Sequence, residues 1–453
     1  MGFWGVTRGT VSHRIAPLLH AFGGAATALA VGVAALGMLP EPGAADGAPS
    51  PIVAMEEVPS NGADFAVQFG GRVSAAVETL ASLPAAQVAA LWVDLPRPFV
   101  GELIDERPDV IGNLEGASYT DRDRANIRRL ATVQRDAVAT EQLALSQLRS
   151  PSALDSSALT VAEATARVEA IDVLLGLFRN APSNDARRYL LSLDSSVDGP
   201  PLAAISVGDL DSAPYATYFV PGMNSSVLQA EDYLRGVTRI QQASAASAAV
   251  LWLGYESPGP VETVSTARAE AGAVLLGAAL DGYNAYRDAV GLRSELTVLA
   301  HSYGSTTAAI TLAGGDHAVS SFVMIGSAGV PSHIRLEDLN VPAGRVYASE
   351  ATADGLAAKG QFWSGRANPA SAEWGAQLFS SNGTTLADGT ILSAVRAHDA
   401  VGADDAADHE KYLGDGTQSL YGIRRIVTGQ PYDIAPVAPA PSTDSTILAT
   451  AAK

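Results

Sequence analysis

A mostly parallel β-sheet flanked by helices, with a helical region ahead of it, is the fold this sequence predicts, and three observations predict it. Over residues 186–430 short apolar, β-branched runs alternate with helical patterns, which is how a parallel sheet with crossover helices reads in sequence. Ahead of that, residues 63–185 repeat apolar side chains at helical spacing. The third is Leu296-Thr297-Val298-Leu299-Ala300-His301-Ser302-Tyr303-Gly304-Ser305. An apolar run enters a small-x-Ser-x-Gly turn there, and Thr306-Thr307-Ala308-Ala309-Ile310 continues as a helix.

Taken in order, the chain opens with Arg8 and Arg14, a nearly uncharged run from Ala21 to Leu39, and small residues at Gly43-Ala44-Ala45. Residues 1–45 are therefore expected to be a signal peptide or a membrane anchor. The run is long for a cleaved segment and close to the ~20 residues that span a bilayer. Either outcome makes the protein extracytoplasmic, secreted or anchored in the cell membrane. Residues 46–62 read as a linker. In the helical region Val73, Val77 and Leu80, then Val88, Leu91 and Trp92, recur at helix spacing. Thr120-Asp121-Arg122-Asp123 places acids in the first turn of a helix running through Arg128-Arg129-Leu130. That charge run is expected to be a solvated face. Residues 161–178 read as another amphipathic helix, and the whole region as packing support that partly covers the site.

Near residue 187 the period changes. Tyr189-Leu190-Leu191-Ser192-Leu193 and Leu202-Ala203-Ala204-Ile205-Ser206-Val207 are short strands separated by Asp198-Gly199-Pro200, an antiparallel opening. Further strands are expected at residues 215–220, 250–253, 296–300, 321–325 and 345–349, and a closing helix at 418–427. Residues 186–430 thus form the sheet domain, and the Ala/Pro-rich residues 431–453 a disordered tail.

A serine at the apex of a strand-to-helix turn is the nucleophile elbow of the α/β-hydrolase fold. The small Ala300 and Gly304 suit it, because the strained turn brings neighbouring backbone close. A serine hydroxyl needs a base, an acid and an oxyanion hole to act as a nucleophile, and in this fold they follow in the order serine, acid, histidine. Of the seven histidines, His13 and His20 lie in the leader, and His301 adjoins the serine, where it would face away from the base position. His317 and His333 precede any acid-bearing strand, which leaves His398 and His409. For the acid, Glu350 and Asp354 both follow the strand at 345–349. The oxyanion donors would be the Tyr303 amide, next after the serine, and the Met223 amide in Pro221-Gly222-Met223, after the strand at 215–220. Gly222 would let that backbone approach the substrate. Tyr255 lies past the end of its strand and is expected to line the substrate pocket, whereas Trp252 suits core or pocket equally.

Together these segments resemble an actinobacterial α/β-hydrolase family catalogued as a domain of unknown function, over roughly residues 80–430. The resemblance is carried by Leu83-Pro84-Ala85-Ala86-Gln87-Val88-Ala89-Ala90-Leu91-Trp92, Ile111-Gly112-Asn113-Leu114-Glu115-Gly116 and Asp121-Arg122-Asp123-Arg124-Ala125-Asn126. In the second half it rests on Val220-Pro221-Gly222-Met223, His301-Ser302-Tyr303-Gly304-Ser305, Gly326-Ser327-Ala328-Gly329-Val330, and His409 with Tyr412. It implies a serine-hydrolase-like site with Ser302 as nucleophile, His409 as base and Asp354 as acid. Two positions depart from the pattern: Ala300 replaces the usual glycine, and Met223 stands where a small polar residue is common. The implied activity is an esterase or lipase-like one on a small-molecule or lipid ester. An acyltransferase on cell-envelope lipid or glycan would use the same acyl-enzyme, and a non-catalytic surface or scaffold protein could share the fold.

Composition narrows the classes. A net charge of −19 opposes nucleic acid and anionic membrane surfaces as partners. Zero cysteines exclude disulfides and thiolate metal sites. The histidines are too scattered for a zinc site. The chain has no Walker A sequence and no strand-linked G-x-G-x-x-G, so no cofactor is expected.

Overall fold

The computed structural model describes residues 58–148, 155–179 and 186–430. The expected leader, most of the linker and the tail lie outside them. Among the described residues no helix is long and apolar enough to cross a membrane.

Seven helices come first: α1 (Gly62–Phe69), α2 (Val73–Ser82), α3 (Ala85–Trp92), α4 (Arg97–Glu106), α5 (Pro108–Ile111), α6 (Tyr119–Leu148) and α7 (Asp155–Arg179). Strands β1 (Arg188–Asp194), β2 (Leu202–Val207) and β3 (Tyr215–Val220) follow, then α8 (Ala230–Gln241), β4 (Ser247–Leu253), α9 (Ala267–Ala289), β5 (Glu295–His301) and α10 (Tyr303–Gly314). The chain continues through β6 (Ser321–Ile325), β7 (Val346–Ser349), α11 (Gly355–Ser364), β8 (Gln377–Leu378), β9 (Asn382–Thr385), β10 (Ile391–Ala394), α12 (Asp405–Asp408) and α13 (Gln418–Val427).

The main sheet has the order β1-β2-β4-β3-β5-β6-β7-β8. Strand β2 runs antiparallel to β1 and β4, and the pairings from β4 through β3 to β8 are parallel. Side chains alternate across it with the period of two that a strand imposes. Phe219, Leu251, Leu299 and Val323 pack with Ile171, Leu174, Leu234 and Ile423 of α7, α8 and α13. Tyr218, Val250, Val298 and Phe322 face Leu276, Leu280 and Leu312 of α9 and α10. A smaller core of Phe65, Leu80, Val88, Trp92 and Leu103 holds the first four helices together.

The charge run at the start of α6 is not a solvated face. Asp121, Arg122, Asp123 and Asn126 are buried. Three of the four bond the backbone of β1, the outer strand of the sheet: Asp123 accepts from Leu190 N–H at 2.8 Å, Asn126 donates to Leu190 C=O at 3.0 Å, and Arg122 donates to Leu191 C=O at 2.8 Å. Asn113 adds bonds to the N–H and C=O of Leu193 at 2.9 and 3.0 Å. An open sheet edge presents unpaired backbone groups that must be covered. Helix α6 covers this one with polar side chains, which is why a run that looks solvent-facing in sequence is inside. The remaining charges are paired, Arg122 with Glu115 at 2.7 Å and Asp121 with Arg97 at 2.5 Å.

Candidate active site

Ser302 lies between β5 and α10 with φ 52° and ψ −126°. A non-glycine residue held at positive φ is strained by roughly 1–3 kcal/mol, so surrounding contacts must impose it. They do: Ser302 N–H donates to Ile325 C=O, and its own C=O accepts from Ala328 N–H, both at 3.2 Å. The Pro221-Gly222-Met223 loop presses on the serine so closely that a Cβ at Gly222 would lie 2.6 Å from Ser302 Cβ.

The Ser302 hydroxyl is 2.8 Å from His398 Nε2, and His398 Nδ1 is 2.9 Å from both carboxylate oxygens of Asp354. Asp354 follows β7 and caps α11, accepting from Leu356 and Ala357 N–H at 3.1 and 3.0 Å. Burial by itself would raise its pKa. The hydrogen bond and charge of His398, with the donors of Ala357 and Tyr412, outweigh that and hold the carboxyl below its ordinary value. Such a chain can move the serine proton onto an imidazole whose second nitrogen is oriented by a carboxylate.

His409, the base implied by the family resemblance, is not the histidine that the fold brings to Ser302; that is His398. The His409 side chain is exposed, and its carbonyl accepts from Ser393 Oγ at 2.9 Å. Both histidines precede α13, but only His398 is carried onto the carboxyl edge of the sheet, on the loop leaving the β9–β10 hairpin. Glu350 is occupied elsewhere, accepting from Gln361 Nε2 at 2.9 Å. Tyr255 is also corrected. It is 3 % exposed, stacks on Trp252 at 5.7 Å and donates to Pro221 C=O at 3.1 Å. It therefore supports the Gly222 loop from beneath instead of lining the pocket. His301 does not face away: its Nε2 is 2.7 Å from the His398 carbonyl, and the two rings are 5.0 Å apart.

A cavity of about 440 Å³ opens over Ser302, lined on its apolar side by Met223, Leu356 and Val401 and on its polar side by Gln229, Asp232 and Asp399. Gly222 reaches it too, and among the described residues the lining comes from position 222 onward. The N-terminal helices therefore give no cover to this cavity. Tyr303 begins α10, so its N–H has no intrahelical acceptor, and Met223 sits on the loop pressed against the serine. Among the described residues no His, Asp or Glu cluster could hold a metal ion.

The β9–β10 hairpin, not among the strands expected above, does carry a signal in the sequence. Asp388-Gly389 stands between Thr384-Thr385 and Ile391-Leu392, an Asp-Gly turn between strand formers. His301 and Tyr412 as neighbours of the relay carry no local signal of that kind.

Residues 198–362 match the model of a family described as "Alpha/beta hydrolase". That stretch includes Ser302 and Asp354 and stops short of His398. An uncharacterized protein of Mycobacterium tuberculosis is 30 % identical over 373 residues, covering 76 % of this chain and 56 % of its own length. The chain thus spans little more than half of that relative. Among solved structures, carboxyl esterase 2 of Tuber melanosporum aligns at 12 % identity and TM-score 0.34, over 56 % of this chain and 89 % of that one. The esterase of Pyrobaculum calidifontis aligns at 15 % and 0.33, over 59 % and 92 %. The strand order, the strained serine turn and the family match over residues 198–362 show that this chain has the α/β-hydrolase fold, and its mycobacterial relative is an uncharacterized actinobacterial protein.

Proposed function

We propose that the chain is a serine hydrolase that cleaves ester bonds through Ser302, His398 and Asp354. The observation that carries this is the unbroken line of hydrogen bonds from Ser302 Oγ through both nitrogens of His398 to the Asp354 carboxylate. In the proposed reaction His398 takes the hydroxyl proton as Ser302 attacks the carbonyl carbon, and the Met223 and Tyr303 amides receive the developing oxyanion. The tetrahedral species collapses, His398 returns the proton to the leaving alkoxide, and the acyl group stays on Ser302. Water, activated by the same imidazole, then releases the acid. The cavity suits a small-molecule or lipid ester with an apolar portion against Met223, Leu356 and Val401. The leader expected in residues 1–45 would place this chemistry outside the cytoplasm.

The test is labelling with a fluorophosphonate probe beside hydrolysis of a soluble p-nitrophenyl ester. Wild type should do both, and Ser302→Ala should do neither while unfolding at the same temperature. Activity retained in Ser302→Ala, or a folded wild type that neither labels nor turns over, would overturn the assignment.

A further inference from the structure

The segment Asp408-His409-Glu410-Lys411-Tyr412 does not supply the base, yet it is built tightly into the site. We infer that the Tyr412 hydroxyl is a positioning group of the relay, donating to Asp354 so that the carboxylate stays aimed at His398. The inference rests on the serine-hydrolase proposal above and extends it to a residue that touches no substrate.

Tyr412 is fully buried, and its hydroxyl is 2.9 Å from Asp354 Oδ2. The direction of that bond is set by a second one. Ala351 N–H reaches the same hydroxyl oxygen at 3.0 Å, and an amide can only donate. The hydroxyl therefore accepts from Ala351 and has its single proton free for Asp354. Asp354 Oδ1 already accepts from two α11 amides, so Tyr412 is the donor that balances Oδ2. With both oxygens held, the carboxylate cannot rotate away from His398 Nδ1.

The surroundings are shaped for this contact. Gly326 has φ 49°, and a Cβ there would lie 2.8 Å from Tyr412 Cε2 and 2.9 Å from Asp354 Oδ2. Any side chain at Gly326 would wedge the pair apart. The Tyr412 ring lies 5.9 Å from His301, so one residue bonds Asp354 and packs beside the histidine that bonds the His398 carbonyl. The segment itself is anchored at Asp408, whose buried carboxylate bonds Arg239 at 2.7 Å, Arg235 at 3.4 Å and the Gly402 amide. Both arginines belong to α8, the helix that follows the Gly222 loop. Tyr412 is thus fixed to the element next to the oxyanion donors as well as to the acid.

The experiment compares wild type, Tyr412→Phe, Asp354→Asn and the double variant. Phenylalanine keeps the ring that fills the space and removes only the hydroxyl. Two readouts are taken: the rate of fluorophosphonate labelling, and the downfield proton resonance of the His398–Asp354 hydrogen bond in the resting protein. Tyr412→Phe should slow labelling about tenfold, the scale of one lost hydrogen bond to a charged group, and move the downfield resonance. In the Asp354→Asn background the same change should cost less than about twofold, because Tyr412 acts through that carboxylate. Wild-type labelling by Tyr412→Phe, or an equal loss in both backgrounds, overturns the inference. If folded wild type does not label at all, the serine-hydrolase proposal fails instead. The resonance then decides alone: a shift on losing the hydroxyl supports the Tyr412–Asp354–His398 link, and an unchanged position refutes it.

Discussion

Replacing Asp123 by alanine should destabilise the protein by about 2–3 kcal/mol, although the residue lies far from the site in a run that looks surface-exposed. The residue is 4 % exposed, and its carboxylate accepts from Leu190 N–H and from Arg187, each at 2.8 Å. Leu190 is fully buried, so losing the acceptor leaves a backbone donor unpaired, a loss of roughly 1–3 kcal/mol. The Arg187 side chain is 64 % exposed, so the ion pair adds at most about 1 kcal/mol. Asp123→Asn should recover most of the loss. Its amide oxygen still accepts, and burial, which pushes the Asp123 carboxyl pKa up, carries no charge penalty for a neutral group. Exposed Arg124→Ala, one residue along, should stay within about 0.5 kcal/mol of wild type. Urea unfolding gives the midpoints, and hydrogen exchange at the Leu190 amide gives the local opening. The sheet-edge role of α6 is refuted if Asp123→Ala costs less than about 0.5 kcal/mol, or if the Leu190 amide keeps wild-type protection.

Other predictions concern the two histidines beside Ser302. His398→Ala should lower the rate of labelling by on the order of 10⁴-fold, as loss of a triad base does, while His409→Ala should change it less than about twofold; reversed effects would restore His409. His301 is held down at about 4 by burial and by the nearby His398, against 6.5 for a free imidazole. Between those values the unfolded chain binds the extra proton, so stability falls as pH drops from 6.5 toward 4. His301→Gln cannot titrate and should flatten that part of a Tm–pH curve; equal slopes for the two proteins would show that His301 does not titrate there.

The alternation of strands and helices was legible because its causes are local. Apolar period, β-branched runs and the Asp198-Gly199-Pro200 break act within a few residues, and β1 to β7 follow from them. The serine turn was legible for the same reason: Ser302 with small neighbours needs only its own strand and helix. Asp354 was one of two acids past β7, and its place against His398 goes with its capping of α11, itself a local matter.

The choice of histidine was not local. His398 and Ser302 are 96 positions apart, and His398 and His409 sit in similar polar loops. What separates them is the β9–β10 hairpin, with the Asp408 anchor on α8, which together carry one loop over the strand ends and leave the other histidine in solvent. The family resemblance pointed to the segment of His409 and Tyr412, whose Tyr412 reaches Asp354, 58 positions away, only in the folded chain, while the histidine on Ser302 comes from another loop. Likewise Asp121-Arg122-Asp123 has the composition of a wet helix face, and only an open sheet edge alongside turns it inward. The sequence by itself determined the elements and the serine that one of them presents. Tertiary structure decided which distant polar groups complete that serine's surroundings, because a polar side chain is placed by the partner that satisfies it, and that partner is seldom its neighbour in the chain.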